Sequence, residues 1–204
     1  APPLLLSVYF DCHEAVKILI EKGSNIDQKS NDGNTPIFWA FVTQNEETIN
    51  LILDKNPNMV VQDKNGKTPL FPICSHLNSV DYLLQAKKMI GDSKFKKECK
   101  RVSKNGLTLL SSCIECITNY KDKKDKIDLL SAQDEIISKM EILLEHGLDV
   151  RSQIKIDGIK YSLLDFISNN ELIENFPDVA ENLAIFLIKK GVRAKDSGSK
   201  TNLL

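Results

Sequence analysis

The chain has 204 residues, 42% of them hydrophobic and 27% charged, with a formal net charge of −1. That balance is ordinary for a folded globular chain and gives no global field toward nucleic acid or an anionic membrane. No apolar run reaches the roughly 18 residues that span a bilayer, APPLLLSVYF at the start lacks the basic flank of a signal peptide, and five cysteines without paired spacing point to a reducing compartment.

In chain order, the first predicted element is the apolar stretch PPLLLSVYF (2–10), followed by Val16, Leu19, Ile20 and Gly23. The second opens at NDGNTPIFWA (31–40) and is followed by Ile49, Ile52, Leu53 and Asn56. The third opens at KNGKTPLFPI (64–73) and continues with Val80, Leu83 and Leu84, two residues early. Pro3, Pro36 and Pro69 are 33 residues apart. Each later cluster has the i, i+3, i+4 spacing of a helix burying one face, and Gly or Asn after it suits the left-handed residue that ends a helix. The fourth copy, KNGLTLL (104–110), has Leu109 in the proline position and pairs with Met140, Leu143, Leu144 and Gly147. The fifth has Gly158, SLLDFI (162–167), then Ala184, Leu187, Ile188 and Gly191. GSKTNLL at the end, with Thr201, reads as the start of a sixth.

The punctuation has a physical reading. Gly33 and Gly66 suit turns that need positive φ. Thr35 and Thr68 are placed as helix N-caps, each worth about 1 kcal/mol. Pro36 and Pro69 suit the first helical position, where the missing N–H costs nothing. Ser7, Ala40 and Cys113 fall where helices approach closely.

A unit of about 33 residues with a turn, Thr-Pro-Leu, a short helix and a second helix ending in a leucine pair and Gly resembles the ankyrin repeat. The resemblance covers essentially the whole chain and is most specific in the first three copies. It implies an all-α ankyrin-repeat solenoid: stacked antiparallel helix pairs with projecting hairpin-like fingers, and insertions in the third to fifth repeats. One domain over 1–204 is expected, with repeats at about 1–29, 30–62, 63–102, 103–152 and 153–195 and a sixth beginning at 196–204. The family often carries His after Thr-Pro-Leu. The matching residues here are Leu5, Phe38, Phe71, Ser111 and Asp165, so more apolar packing and fewer hydrogen bonds between repeats are expected. Trp39 is expected to pack between repeats, and its truncation to Ala would cost about 3–5 kcal/mol if fully buried.

Ala86 replaces Gly at the third helix stop, so that helix is expected to run on to about Ile90 and end at Gly91. Lys87 to Arg101 carries seven basic residues against Asp92 and Glu98. A docking site for an acidic or phosphorylated ligand is the sharper reading of 87–101, and a solvated loop with a helix extension the plainer one. A second insertion, 118–136, has charges of alternating sign and reads as longer helices joined by a polar loop. A smaller one lies around ELIENFPDV.

Chemical motifs fare poorly. Cys113-x-x-Cys116 lacks a second CxxC or His pair for zinc, and Cys113 sits at the small-residue packing position. An EF-hand fails because Gln28 would be its first ligand, and GSKT (198–201) fails as a phosphate loop because Gly191 is misplaced. His13, His76 and His146 lie in different repeats. No cofactor, metal or catalytic residue is expected, and no motif for DNA or RNA reading is present.

The family resemblance implies a non-enzymatic protein-protein interaction module that uses finger tips and the exposed side of inner helices. Carried onto this chain, the finger positions are Asn31, Asp32 and Asn34; Lys64, Asn65 and Lys67; Lys104, Asn105 and Leu107. The inner-helix positions are Tyr9, Phe10, Val42, Thr43, Ser75, His76, Glu115 and Cys116. Tyr9 and Phe10 read equally as binding anchors or as residues packed against a preceding repeat, since Ala1-Pro2-Pro3 aligns within a repeat and the chain reads as a fragment of a longer protein. The expected partner is another protein, with no nucleic acid and no membrane insertion, in the cytoplasm. The alternative is a targeting or substrate-recruiting domain of a larger enzyme, or of a host-directed effector of an intracellular bacterium acting in host cytosol.

Overall fold

The structure, a computed structural model, describes residues 2–118, 129–151, 153–156, 159–168 and 174–193. Gly158, the expected polar loop at 119–128 and GSKTNLL lie outside these residues.

The described chain is a row of helix pairs. The first is α1 (Pro3–Tyr9) with α2 (His13–Glu21), and the second α3 (Pro36–Thr43) with α4 (Glu46–Leu53). The third is a short α5 (Leu70–Cys74) with α6 (Val80–Ile90), extended by α7 (Asp92–Cys99). The fourth is α8 (Leu109–Thr118) with α9 (Leu129–Glu145). The fifth unit begins with a hairpin of β1 (Ile154–Ile156) and β2 (Ile159–Tyr161), in which Ile154 pairs with Tyr161 and Ile156 with Ile159. It continues into α10 (Leu163–Ser168) and α11 (Pro177–Lys189). Inner helices stack α1 on α3, α3 on α5, α5 on α8 and α8 on α10. The result is an all-α repeat solenoid.

The core runs between layers. Leu4, Ile37, Leu70, Leu110 and Leu164, at one position of the inner helices, are all buried. Val16, Ile49, Leu83, Met140 and Leu143 are buried from the outer helices. Ser7, Ala40 and Cys113 are buried where helices meet closely, and Leu5 and Phe71 are buried where the family often has His.

The fingers repeat at atomic detail. Gly33, Gly66 and Gly106 have φ of 83°, 77° and 80°, and their N–H groups donate to the carbonyls of Ser30, Asp63 and Ser103 at 2.9, 3.0 and 2.9 Å. Ser30, Asp63 and Ser103 each hold the turn with a side-chain oxygen, accepting from the N–H of Asn34, Lys67 and Leu107 at 3.2, 2.8 and 3.0 Å. Successive fingers are joined by backbone bonds, Lys64 N–H to Asp32 O and Lys104 N–H to Asn65 O, both 2.7 Å. A Cβ at Gly33 would come within 3.0 Å of Asp63 Cα, so glycine also permits this close approach.

Two expectations about caps need correction. Thr35 stands at the N-cap of α3 but its hydroxyl makes no cap bond. Thr35 Oγ1 and Thr68 Oγ1 are both buried without a partner. A capping hydroxyl accepts from the backbone N–H two or three residues on, and a polar side chain at the third helical residue can return a bond to the cap's own N–H. Phe38 has no such side chain to close a box with Thr35, and in the third unit Pro69, not Thr68, stands at the N-cap of α5. The fourth and fifth units do close the box. Ser111 N–H donates to Thr108 Oγ1 at 3.2 Å and Thr108 N–H to Ser111 Oγ at 2.9 Å. Asp165 N–H donates to Ser162 Oγ at 3.1 Å and Ser162 N–H to Asp165 Oδ2 at 2.9 Å.

α6 ends at Ile90, and Gly91 follows at φ 78°.

Candidate protein-binding groove

One position recurs along the inner side of the first four units: Tyr9, Val42, Ser75 and Glu115. Tyr9 is 48% and Val42 42% exposed, while Ser75 and Glu115 are half-buried. Trp39 of the second unit sets its ring edge-on against Tyr9 of the first, 4.9 Å between centroids at 87°. Trp39 is therefore a bridge between units, but a half-buried one. Its truncation should cost less than the range for a fully buried tryptophan. Phe10 contacts Tyr9 from the other side at 5.1 Å. Thr43 and Ser75 return their hydroxyls to their own helices, donating to Ala40 O and Pro72 O at 3.2 Å each.

The finger side carries the charge. Asn31, Asp32, Lys64, Lys104 and Asn105 are exposed, and Asn65, Lys67 and Leu107 are half-buried. Lys64 Nζ donates to Asp32 Oδ1 at 2.6 Å, and that hydrogen bond keeps its ammonium protonated above the ordinary lysine range. Lys67 lies over the Phe71 ring at 5.9 Å. Below it, burial raises the Glu115 carboxyl above the usual range, opposed by the Lys67 charge. The groove thus changes along its length, from aromatic and aliphatic at Tyr9, Trp39 and Val42 to polar and charged at Ser75, Lys67 and Glu115.

Three residues assigned to this surface from the sequence are not on it. Asn34 is buried beneath its finger, with Oδ1 unpartnered, because the turn folds its backbone back onto Ser30. His76 and Cys116 are also buried. The third unit is two residues short, so α5 ends at Cys74 and His76 turns inward where the next unit covers it.

That short loop is held by a pair the sequence reading missed. Lys139 of α9 is fully buried, and its ammonium donates to the carbonyls of Cys74 and His76 and to Ser79 Oγ. Glu135, one turn earlier and 3.8 Å from Lys139 Nζ, accepts from the N–H groups of Ser79 and Val80 at 2.6 and 2.9 Å. The fourth unit therefore caps both helix ends of the third. The signal was present: Glu135 and Lys139 share the face of α9 that carries Ile136, Met140 and Leu143.

Of the seven basic residues in 87–101, Lys87 faces Asp92 at 3.5 Å and Arg101 forks onto Glu98 at 2.5 and 2.6 Å. Lys96 and Lys100 run their side chains along Gly147, at the C-terminal end of α9. Lys88, Lys94 and Lys97 are exposed. A cleft of about 110 Å³ lies between the second and third units, lined by Phe41, Glu46, His76, Asn78 and Tyr82 among others. A wider one of about 300 Å³ lies between Arg101, Val102 and Leu148. Burial pushes the Cys99 and Cys116 thiols up to about 12, and a hydrogen bond to Cys113, with burial, raises Cys74 well above the usual thiol range. These are packed, protonated thiols and not nucleophiles at neutral pH. Among the described residues no group of three or more His, Cys, Asp or Glu side chains could hold a metal, and no helix is long and apolar enough to cross a membrane.

A stack of helix pairs with interlocked projecting turns and an open concave side defines a solenoid of the protein-binding class. Residues 4–97 match the family model of ankyrin repeats in three copies. Residues 4–97 are thus ankyrin repeats, and such repeats are as a class protein-protein interaction modules. No curated protein matches the chain.

Proposed function

We propose that this chain binds another protein along the row Tyr9, Val42, Ser75 and Glu115 and the adjoining finger tips, without catalysing a reaction. The observation that carries the reading is the exposed apolar step of Tyr9 and Val42, bridged by the half-buried Trp39. Exposed aromatics at a groove supply binding energy, and fingers already bonded to one another lose little freedom on binding. The partner would lay an apolar side chain against Tyr9 and Val42 and polar groups against Asn31, Lys67, Lys104 and Asn105. The fourth and fifth helix pairs, beyond the matched residues, are further divergent copies; the finger at Ser103 to Leu107 repeats the bonding at Ser30 and Asp63. Packed free thiols suit a reducing, cytoplasmic setting.

The test is affinity capture with mass spectrometry, comparing the native chain with Tyr9→Ala/Val42→Glu and with Lys67→Glu/Lys104→Glu. A protein retained by the native chain should be lost by the first variant and weakened by the second, with both melting like the native chain. Retention by both variants would refute the groove assignment.

A further inference from the structure

The third unit carries a helix that the first two lack. After α2 and α4 the chain passes straight to the next finger, whereas α6 is followed by α7. One face of α7 is anchored. Phe95, Glu98 and Cys99 are buried, and the Phe95 ring meets His146 of the fourth unit edge-on, 5.2 Å between centroids. Glu98 is held by the fork from Arg101.

The outward side is basic. Lys96, Lys97 and Lys100 are exposed, and none of the three forms an ion pair among the described residues. Lys96 and Lys100 converge on the end of α9. A Cβ added at Gly147 would lie 3.3 Å from Lys96 Cε and 3.6 Å from Lys100 Cε. Gly147 and Lys100 both line the open cleft of about 300 Å³, together with Val102 and Leu148. That volume is at the lower end of the range that takes a ligand. Asp149, the carboxylate in the lining, accepts from Arg151 N–H at 2.9 Å.

Val102 is an independent signal. It stands directly before the fourth finger, where the earlier copies have Lys29 and Gln62, both exposed. An aliphatic side chain takes that place here and stays 53% exposed, in a stretch bridged to Thr108. A solvent-facing apolar group inside a polar rim has the make-up of an interaction surface.

We infer that this cleft is a second docking site, for an acidic segment of a partner protein. The segment places one apolar side chain against Val102 and Leu148 and its carboxylates against Lys96, Lys97 and Lys100. Charge complementarity sets the occupant: the rim offers ammonium groups and the interior offers carbon. An acidic chain with an apolar residue matches both, and a bare anion matches only the rim. None of Tyr9, Val42, Ser75 and Glu115 lines the cleft, so the site stands whether or not that row binds a partner.

The experiment follows backbone amide NMR of the full chain during titration with four probes. They are the acetylated peptides Glu-Glu-Leu-Glu-Glu, Glu-Glu-Gly-Glu-Glu and Lys-Lys-Leu-Lys-Lys, and inorganic phosphate. The first peptide should shift Val102, Gly147 and Leu148, and molar salt should weaken it by about tenfold or more. The glycine peptide and phosphate should bind more weakly, and the lysine peptide should not bind. Lys96→Gln/Lys97→Gln/Lys100→Gln keeps most of each stem over Gly147 and should abolish the response. Val102→Asp, at an exposed position, should do the same, with both variants melting like the native chain. Tyr9→Ala/Val42→Glu should bind the first peptide as the native chain does. Absence of shifts at the cleft overturns the inference, as does equal binding of the glycine peptide or of phosphate. Loss of binding in the Tyr9/Val42 variant also overturns it, since the peptide would then occupy the groove.

Discussion

The first two units and the last two solve the same local problem differently. Each must start an inner helix just after a finger. The second unit uses Thr-Pro followed by apolar residues, leaving Thr35 Oγ1 buried and unbonded. The fourth and fifth dispense with Pro and close reciprocal boxes, Thr108 with Ser111 and Ser162 with Asp165. The third residue of the inner helix decides whether the box can be reciprocal, since it is Phe38 in one and Ser111 or Asp165 in the others. The same choice shapes the surface. Apolar residues in the early units spill onto the concave side as Trp39 and Val42, and the late units present Glu115 there. Between the two regimes sits the shortened third unit, whose helix ends are completed from outside by Glu135 and Lys139.

The largest effect is expected at that junction. Lys139→Met should cost about 3–5 kcal/mol, because it removes one partner of a buried pair and strands the carbonyls of Cys74 and His76. Urea denaturation of the full chain checks it, and a loss well under 1 kcal/mol would mean the third unit does not lean on the fourth. Next come the fingers. Gly33→Ala should cost about 2–3 kcal/mol, combining the positive-φ strain with the clash at Asp63. Gly66→Ala should cost only about 1–2 kcal/mol, since the nearest atoms to its added Cβ stand at 3.9 Å. Equal losses at the two glycines would show that finger-to-finger contact is not tighter at the first pair. A smaller contrast concerns the thiols: alkylation of the native chain at neutral pH should label exposed Cys12 quickly and Cys74, Cys99, Cys113 and Cys116 only on unfolding. Rapid labelling of Cys116 would contradict its packed, protonated state.

Much of the frame was legible in residues. The 33-residue interval, Gly33 and Gly66 in their turns, and the helix stop at Gly91 follow from backbone chemistry that glycine and proline announce locally. What stayed hidden depended on distant partners. Whether Thr35 caps depends on where its hydroxyl lies relative to the backbone N–H groups of Ile37 and Phe38, and the helix-start pattern alone does not supply that geometry. His76 was assigned to the groove by counting, but the two-residue deletion rotates it inward. Asn34 looked like a finger tip by composition, yet the turn places it underneath. Lys139 lies on the apolar face of its own helix because its ligands come from a loop some sixty residues earlier.

The contrast between the two ways of starting a helix is tested most directly by a matched pair, Thr35→Val and Thr108→Val, each measured by chemical denaturation of the full chain. Removing the orphaned Thr35 hydroxyl should leave stability unchanged or raise it by about 1 kcal/mol, whereas removing the Thr108 hydroxyl should lower it by about 1–2 kcal/mol. Losses of equal size at both positions would mean that Thr35 caps its helix after all, and that the early and late units are built alike.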